Sequence, residues 1–233
     1  MNLFHLDSKI FRTLGVLVFQ PGKLTTAYLE GKRQRYVSPV RLYLVLFAIA
    51  LFIYSTFHRV YDATTVSLNI DIQSLAKKDR TGGIGKGLDE ISRRKGISRE
   101  ALEERFDERW HAYTSFAQLL EVLVFALGLA VLYWNRKRYL VEHLIFSLNV
   151  LSFTYLTGIV CSPLLAVLRR QRTLFLATVF IEILYLCLAL RHVYAGRAVW
   201  AVMRALVLYV GLWTTRLAIV ALLLAVIMIL FLR

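Results

Sequence analysis

Eighteen consecutive residues, Thr173 to Leu190, carry a single charge, Glu182. That run is long for a strand and approaches the roughly 20 apolar residues a helix needs to cross the hydrocarbon of a bilayer. The pattern recurs along the chain. Apolar stretches at 39–57, 114–133, 141–166, 173–190 and 206–231 predict five spans, with Arg and Lys at their ends. Lipid offers backbone amides no partner, so a chain of this kind must close its hydrogen bonds within helices. The expected fold class is an all-α polytopic membrane protein, about five transmembrane helices preceded by an interfacial amphipathic arm. Composition agrees, since 58% of the 233 residues are hydrophobic against about 45–50% in soluble domains.

The formal net charge of +14 excludes little by itself. Here the bases flank apolar runs instead of forming one polar face, which suits anionic lipid headgroups and argues against nucleic acid. Cys161 and Cys187 both fall inside apolar runs, and no Cys-x-x-Cys pair occurs, so neither a disulfide framework nor a metal site is expected. No cofactor is implied. Gly82-Gly83-Ile84-Gly85-Lys86-Gly87 lacks the spacing of a phosphate loop and reads as a flexible link. The short run Leu14–Phe19 has no small-residue cleavage site after it, so no removable signal peptide is expected.

Residues 1–38 form the arm. Leu3, Leu6, Ile10, Leu14, Leu17 and Val18 recur at helical spacing, with Lys9, Arg12 and Thr13 on the opposite face. The stretch is too short to span, so a helix in the headgroup plane is expected, with Asp7 as its cap. Pro21-Gly22 ends it, and a second short helix, Leu24–Glu30, stops at Gly31. Lys32, Arg33 and Arg35 follow, and Arg41 lies in the first turn of the first span. These bases, with Arg136, Lys137 and Arg138 of the turn at 134–140, are expected to contact headgroups and set topology.

Residues 58–113 form a polar segment with eleven bases and ten acids, read as an extracytoplasmic loop of little net charge. With the N-terminus in the cytoplasm, thirteen Lys and Arg lie inside, those of the arm, Arg41, the 134–140 turn and a basic link at 191–205. Only Arg169, Arg170, Arg172 and Arg233 fall on short outer segments. The positive-inside rule favours that orientation, although the 169–172 cluster opposes it locally and leaves open a hairpin of spans three and four that dips only part way.

Glu142 and His143 open the third span. Adjacent on a helix, they point about 100° apart and cannot pair with each other. His143 is either a proton carrier or metal ligand, or it bonds another span or the headgroups. Glu142 is either functional or it satisfies Arg138 and free helix amides. Glu121, Asn149, Glu182 and Arg216 lie inside spans, where a charge costs about 2.5–3.5 kcal/mol on insertion scales. Glu182 and Arg216 stand mid-span on consecutive antiparallel segments, so an ion pair between them is expected, with Glu121 or Asn149 completing its bonds. Trp134, Tyr139, Tyr194 and Trp200 sit at span ends, as interface anchors do.

Read in order, Pro21-Gly22, the run Tyr28 to Pro39, Arg138 to Phe146 with its Glu142-His143 pair, and Arg191-His192-Val193-Tyr194 resemble a bacterial inner-membrane family, domain of unknown function 3667. The resemblance covers nearly the whole chain. It implies a bacterial inner (cytoplasmic) membrane location and brings no activity with it. Many members carry a short zinc ribbon before the arm; this sequence starts almost at the arm and lacks those cysteines, so no zinc is carried over.

Three function classes stay open. The first is a non-enzymatic scaffold or assembly partner with a membrane protein partner or as a homo-oligomer. The second is a small transporter or channel component using Glu121, Glu182 and Arg216. The third is a lipid-modifying enzyme using Glu142 and His143. No hydrolase or protease signature appears.

Overall fold

A computed structural model describes residues 3–61, 93, 96, 98–136, 138–168 and 171–232. Among them the chain forms seven helices: α1 (Leu3–Phe19), α2 (Lys23–Leu29), α3 (Pro39–Tyr61), α4 (Arg99–Leu132), α5 (Leu140–Leu168), α6 (Gln171–Tyr194) and α7 (Ala198–Leu232). The Gly82–Gly87 run, Lys137, Arg169 and Arg170 lie outside the described residues.

Each boundary has a local cause. Pro21 and Gly22 separate α1 from α2, with Gly22 at φ 83°. α2 closes in a Schellman motif: the Lys32 amide donates to the Ala27 carbonyl and the Gly31 amide to that of Tyr28, with Gly31 at φ 84°. Ser38 caps α3, its Oγ accepting from the Arg41 amide at 3.4 Å, and Pro39 supplies the fixed φ suited to a first helical position. At the start of α5 the Glu142 carboxylate reaches back to the Tyr139 amide at 3.4 Å, the acidic half of a capping box.

Among the described residues, three helices are long and apolar enough to cross a membrane, over Leu140–Cys161, Thr173–Tyr194 and Ala198–Leu223. Pro39–Ile53 and Phe116–Leu132 form shorter apolar stretches. The basic link expected at 191–205 shrinks to residues 195–197, because α6 runs to Tyr194 and α7 begins at Ala198.

The chain divides into two compact units, Met1–Thr65 with Glu121–Leu212, and Val66–Leu120 with Trp213–Arg233. In the first, α5 is the central helix, packing against α1, α2, α3 and α6. Its buried residues include Phe146, Ser147, Leu151 and Ser152. The two serines turn their hydroxyls back to carbonyls four residues earlier, at 2.8 and 2.6 Å, which spends their polarity inside the helix. Small side chains let neighbouring helices approach, the usual basis of helix packing in lipid. The second unit buries Ala117, Gln118, Arg216 and Val220.

Beside an apolar core, several polar side chains are buried while many large apolar ones face outward. Thr13, Thr25, Glu121, His143, Asn149 and Glu182 are buried, while Phe52, Leu127, Val131, Phe180, Val207 and Leu217 are exposed. Exposed apolar side chains of this size suit an apolar surrounding, and polar groups in lipid turn toward protein.

The arm departs from the expected picture. Thr13, placed by periodicity on the outer face, is fully buried, while Ile10 and Val18 are exposed. Thr13 Oγ1 donates to the Lys9 carbonyl at 2.7 Å and accepts from the Val37 amide at 3.1 Å. The arm folds over its own tail and onto α5 and α6, so its polar residue is needed inside.

Candidate functional site

The sequence-nominated residues converge best where α4, α5, α6 and α7 meet near their ends. Glu142 stands in the first turn of α5. Its Oε2 accepts from Arg138 at 2.7 Å, an i,i+4 pair that leaves both side chains about a quarter to a third exposed. His143, one residue on, turns inward and is buried. Its Nδ1 shares a hydrogen bond of 2.6 Å with the Tyr194 hydroxyl.

Tyr194 is the hub. Its ring stacks on Tyr133 at 4.0 Å between centroids and meets Phe146 edge-on at 5.4 Å. The Arg138 guanidinium lies 5.3 Å from the Tyr194 ring, and that of Arg204 lies 4.5 Å from the Tyr133 ring. Cations favour such ring faces, more so when water is excluded. Tyr194 therefore does not act as the interface anchor expected of it; it is buried. Trp134, Tyr139 and Trp200 are the exposed aromatics of this region.

The basic turn serves the end of α6. Arg138 donates to the Val193 carbonyl at 3.0 Å and Arg136 to the Ala195 carbonyl at 3.2 Å. The last carbonyls of a helix lack internal partners and carry partial negative charge, so guanidinium groups suit them. Ala195, at φ 43°, turns the chain there toward α7. Arg136 and Arg138, expected at the headgroups, thus bind backbone of this chain.

A second cluster docks the arm. Asn149, expected near Glu182, instead donates through Nδ2 to Thr25 Oγ1 at 3.0 Å, both residues buried. Gly22 sits so close to α6 that a Cβ there would lie 3.0 Å from the Ala189 carbonyl oxygen and 3.1 Å from His192 Cβ. Beside this contact a cleft of ≈ 660 Å³ opens between residues 20–36 and the last turns of α6. Lys32 and Arg35 line it; Arg33 does not, and packs over the Tyr28 ring at 5.0 Å. Arg41 is exposed on α3.

Glu121, Glu182 and Arg216 lie on α4, α6 and α7. Glu121 is buried in α4. Glu182 is buried in α6, and its Oε2 accepts from the Tyr209 hydroxyl of α7 at 3.0 Å. Arg216 is buried in the second unit. Sequence reading missed Tyr133, Tyr194, Tyr209 and Thr25 as the partners of its candidates. Among the described residues, no three His, Cys, Asp or Glu side chains converge as metal ligands would.

Residues 7–51 match the family described as "Protein of unknown function (DUF3667)". The match covers the arm and the first part of α3. No curated protein and no solved structure matches the chain.

Proposed function

We propose that this chain is a non-enzymatic scaffold or assembly partner of the bacterial inner membrane, crossing it five times with its N-terminus in the cytoplasm. The observation that carries the reading is the use of Glu142 and His143. The two residues best placed for chemistry are engaged within the fold, Glu142 on Arg138 and the Tyr139 amide, His143 on Tyr194. Contacts of that kind fix helix ends and register. The docked arm adds support, because its exposed Phe11 and Phe19 present large apolar side chains beside basic ones. In the five-span topology, α3 and α4 supply the first two crossings through their apolar stretches.

The test is purification of the tagged full chain from native membranes in mild detergent, with mass spectrometry of what stays bound. A stoichiometric protein partner, retained by the wild type and lost from a Phe11→Ser, Phe19→Ser variant that still folds, is the expected outcome. Recovery of the chain without any protein partner would sink the scaffold reading.

A further inference from the structure

The cleft beside the arm is a candidate binding site independent of the scaffold reading. Its walls come from two elements far apart in sequence, residues 20–36 and the last turns of α6. One contact joins those walls directly, the close approach of Gly22 to Ala189, while Asn149 on Thr25 ties the arm to α5 and Thr13 on the Val37 amide closes the arm on itself. These contacts fix the backbone around the cleft, and its charged side chains Lys23, Glu30, Lys32 and Arg35 stand exposed at its mouth. Its volume, ≈ 660 Å³, falls in the range of small-ligand pockets.

The chemistry of the lining is mixed in a particular way. Lys23, Lys32 and Arg35 are its fixed cations, and Glu30 is its carboxylate. Glu30 accepts from Lys32 at 2.6 Å, and that bond and charge hold its carboxyl below the usual range, so it stays ionised. Among the described residues no carboxylate pairs with Lys23 or Arg35. The recess thus holds surplus positive charge next to hydroxyl and carboxylate acceptors. Pro21, Ala27 and Leu188 supply apolar surface. Leu188 and His192 lie in the final turns of the Thr173–Tyr194 candidate span, the depth at which a membrane's polar headgroups begin.

We propose that this cleft binds a phosphate-bearing polyol, with Lys23, Lys32 and Arg35 holding the phosphate and Glu30 and Thr26 accepting its hydroxyls. A phosphoglycerol lipid headgroup and a free glycerol phosphate share that chemistry. A simple surface patch of lysines would bind any anionic lipid through charge alone. The exposed Glu30 carboxylate at the rim of this basic cleft predicts discrimination instead: an anion bearing hydroxyl donors is preferred over one without them.

The experiment titrates the full chain in detergent micelles with phosphatidylglycerol, phosphatidic acid and phosphatidylcholine, read by native mass spectrometry. Glycerol 3-phosphate and inorganic phosphate are then added as competitors. The wild type should hold phosphatidylglycerol in preference to both other lipids. Lys32→Gln with Arg35→Gln should weaken that binding at least about tenfold, given roughly 1 kcal/mol per base near a membrane surface. Arg12→Gln with Arg197→Gln removes two exposed bases outside the cleft and should leave binding within about twofold. Leu188→Trp fills the recess without changing charge and should also abolish the preference, which guards against a fold effect of the charge variant. Displacement by glycerol 3-phosphate identifies the phosphoglycerol group itself as the ligand; retention against it identifies the intact lipid. Equal binding of phosphatidylglycerol and phosphatidic acid, or equal loss in the two charge-pair variants, overturns the proposal. So does an unchanged preference in Leu188→Trp.

Discussion

Tyr194 carries two kinds of contact at once, and they can be separated by substitution. Its hydroxyl bonds His143 Nδ1 at 2.6 Å while its ring stacks on Tyr133 at 4.0 Å. Tyr194→Phe keeps the stack and removes the bond, leaving a buried imidazole nitrogen without that partner. A buried polar group left unsatisfied costs about 1–3 kcal/mol, whereas hydrogen bonds between membrane helices average only about 0.6. The expected loss is therefore about 0.5–2 kcal/mol in reversible unfolding of the full chain in mixed micelles. A double-mutant cycle with His143→Phe should return a coupling of the same sign; zero coupling would mean the bond adds nothing. The sequence marks His143 as unusual, because an imidazole opens an apolar run. It cannot name the partner 51 residues away, because a tyrosine at a span end serves an interface belt and a buried stack equally well.

At the scale of elements, legibility depends on how local the cause is. Gly31 at the end of α2 and Pro39 at the start of α3 act within a turn of their own positions, so residue type and order reveal them. The docking of the arm does not, because Thr13 and Thr25 meet partners 24 and 124 residues on. Periodicity alone then assigns Thr13 to the wrong face. Arg136 and Arg138 are ambiguous for a related reason: a base at a helix end can meet lipid phosphate or the free carbonyls of another helix, and both favour the same sequence. Gly22 joins the local and the distant cause. Its φ of 83° suits glycine within the turn, and its missing Cβ admits α6. Gly22→Ala should cost about 1–2 kcal/mol for the left-handed backbone alone, and the 3.0 Å approach to the Ala189 carbonyl forces further separation. Hydrogen exchange should then quicken in the amides of α2 and at the end of α6 while the middle of α5 keeps its protection. Unchanged exchange in α2 would show that the arm is not held through this contact.

For the whole molecule, charge distribution and helix length argue separately for the topology, and α4 is where they can be set against each other. Its 34 residues extend about 51 Å at 1.5 Å per residue, against a hydrocarbon core of about 30 Å. The apolar part, Phe116–Leu132, is near the lower limit for a crossing, and the highly charged sequence from Arg99 to Arg109 has no place in lipid. In the proposed five-span topology this helix crosses with its C-terminal half and projects its first turns into water. That proposal, with the positive-inside rule, expects the 134–140 turn on the arm's side and residue 98 on the other. Single cysteines at Gln34, Ser98 and Asn135, in a chain with Cys161→Ala and Cys187→Ala, test this with an impermeant thiol reagent on sealed vesicles of known orientation. Gln34→Cys and Asn135→Cys should label from one face and Ser98→Cys from the other. Labelling of Ser98→Cys and Asn135→Cys from the same face would mean that the apolar stretch of α4 does not cross. The count would then fall to an even number, provided α3 and the three long spans cross, and the N-terminus and C-terminus would share a side. The sequence makes five crossings the simplest reading because each apolar run is counted alone. Whether a 17-residue stretch crosses depends on what covers its flanks, and that is a property of packing.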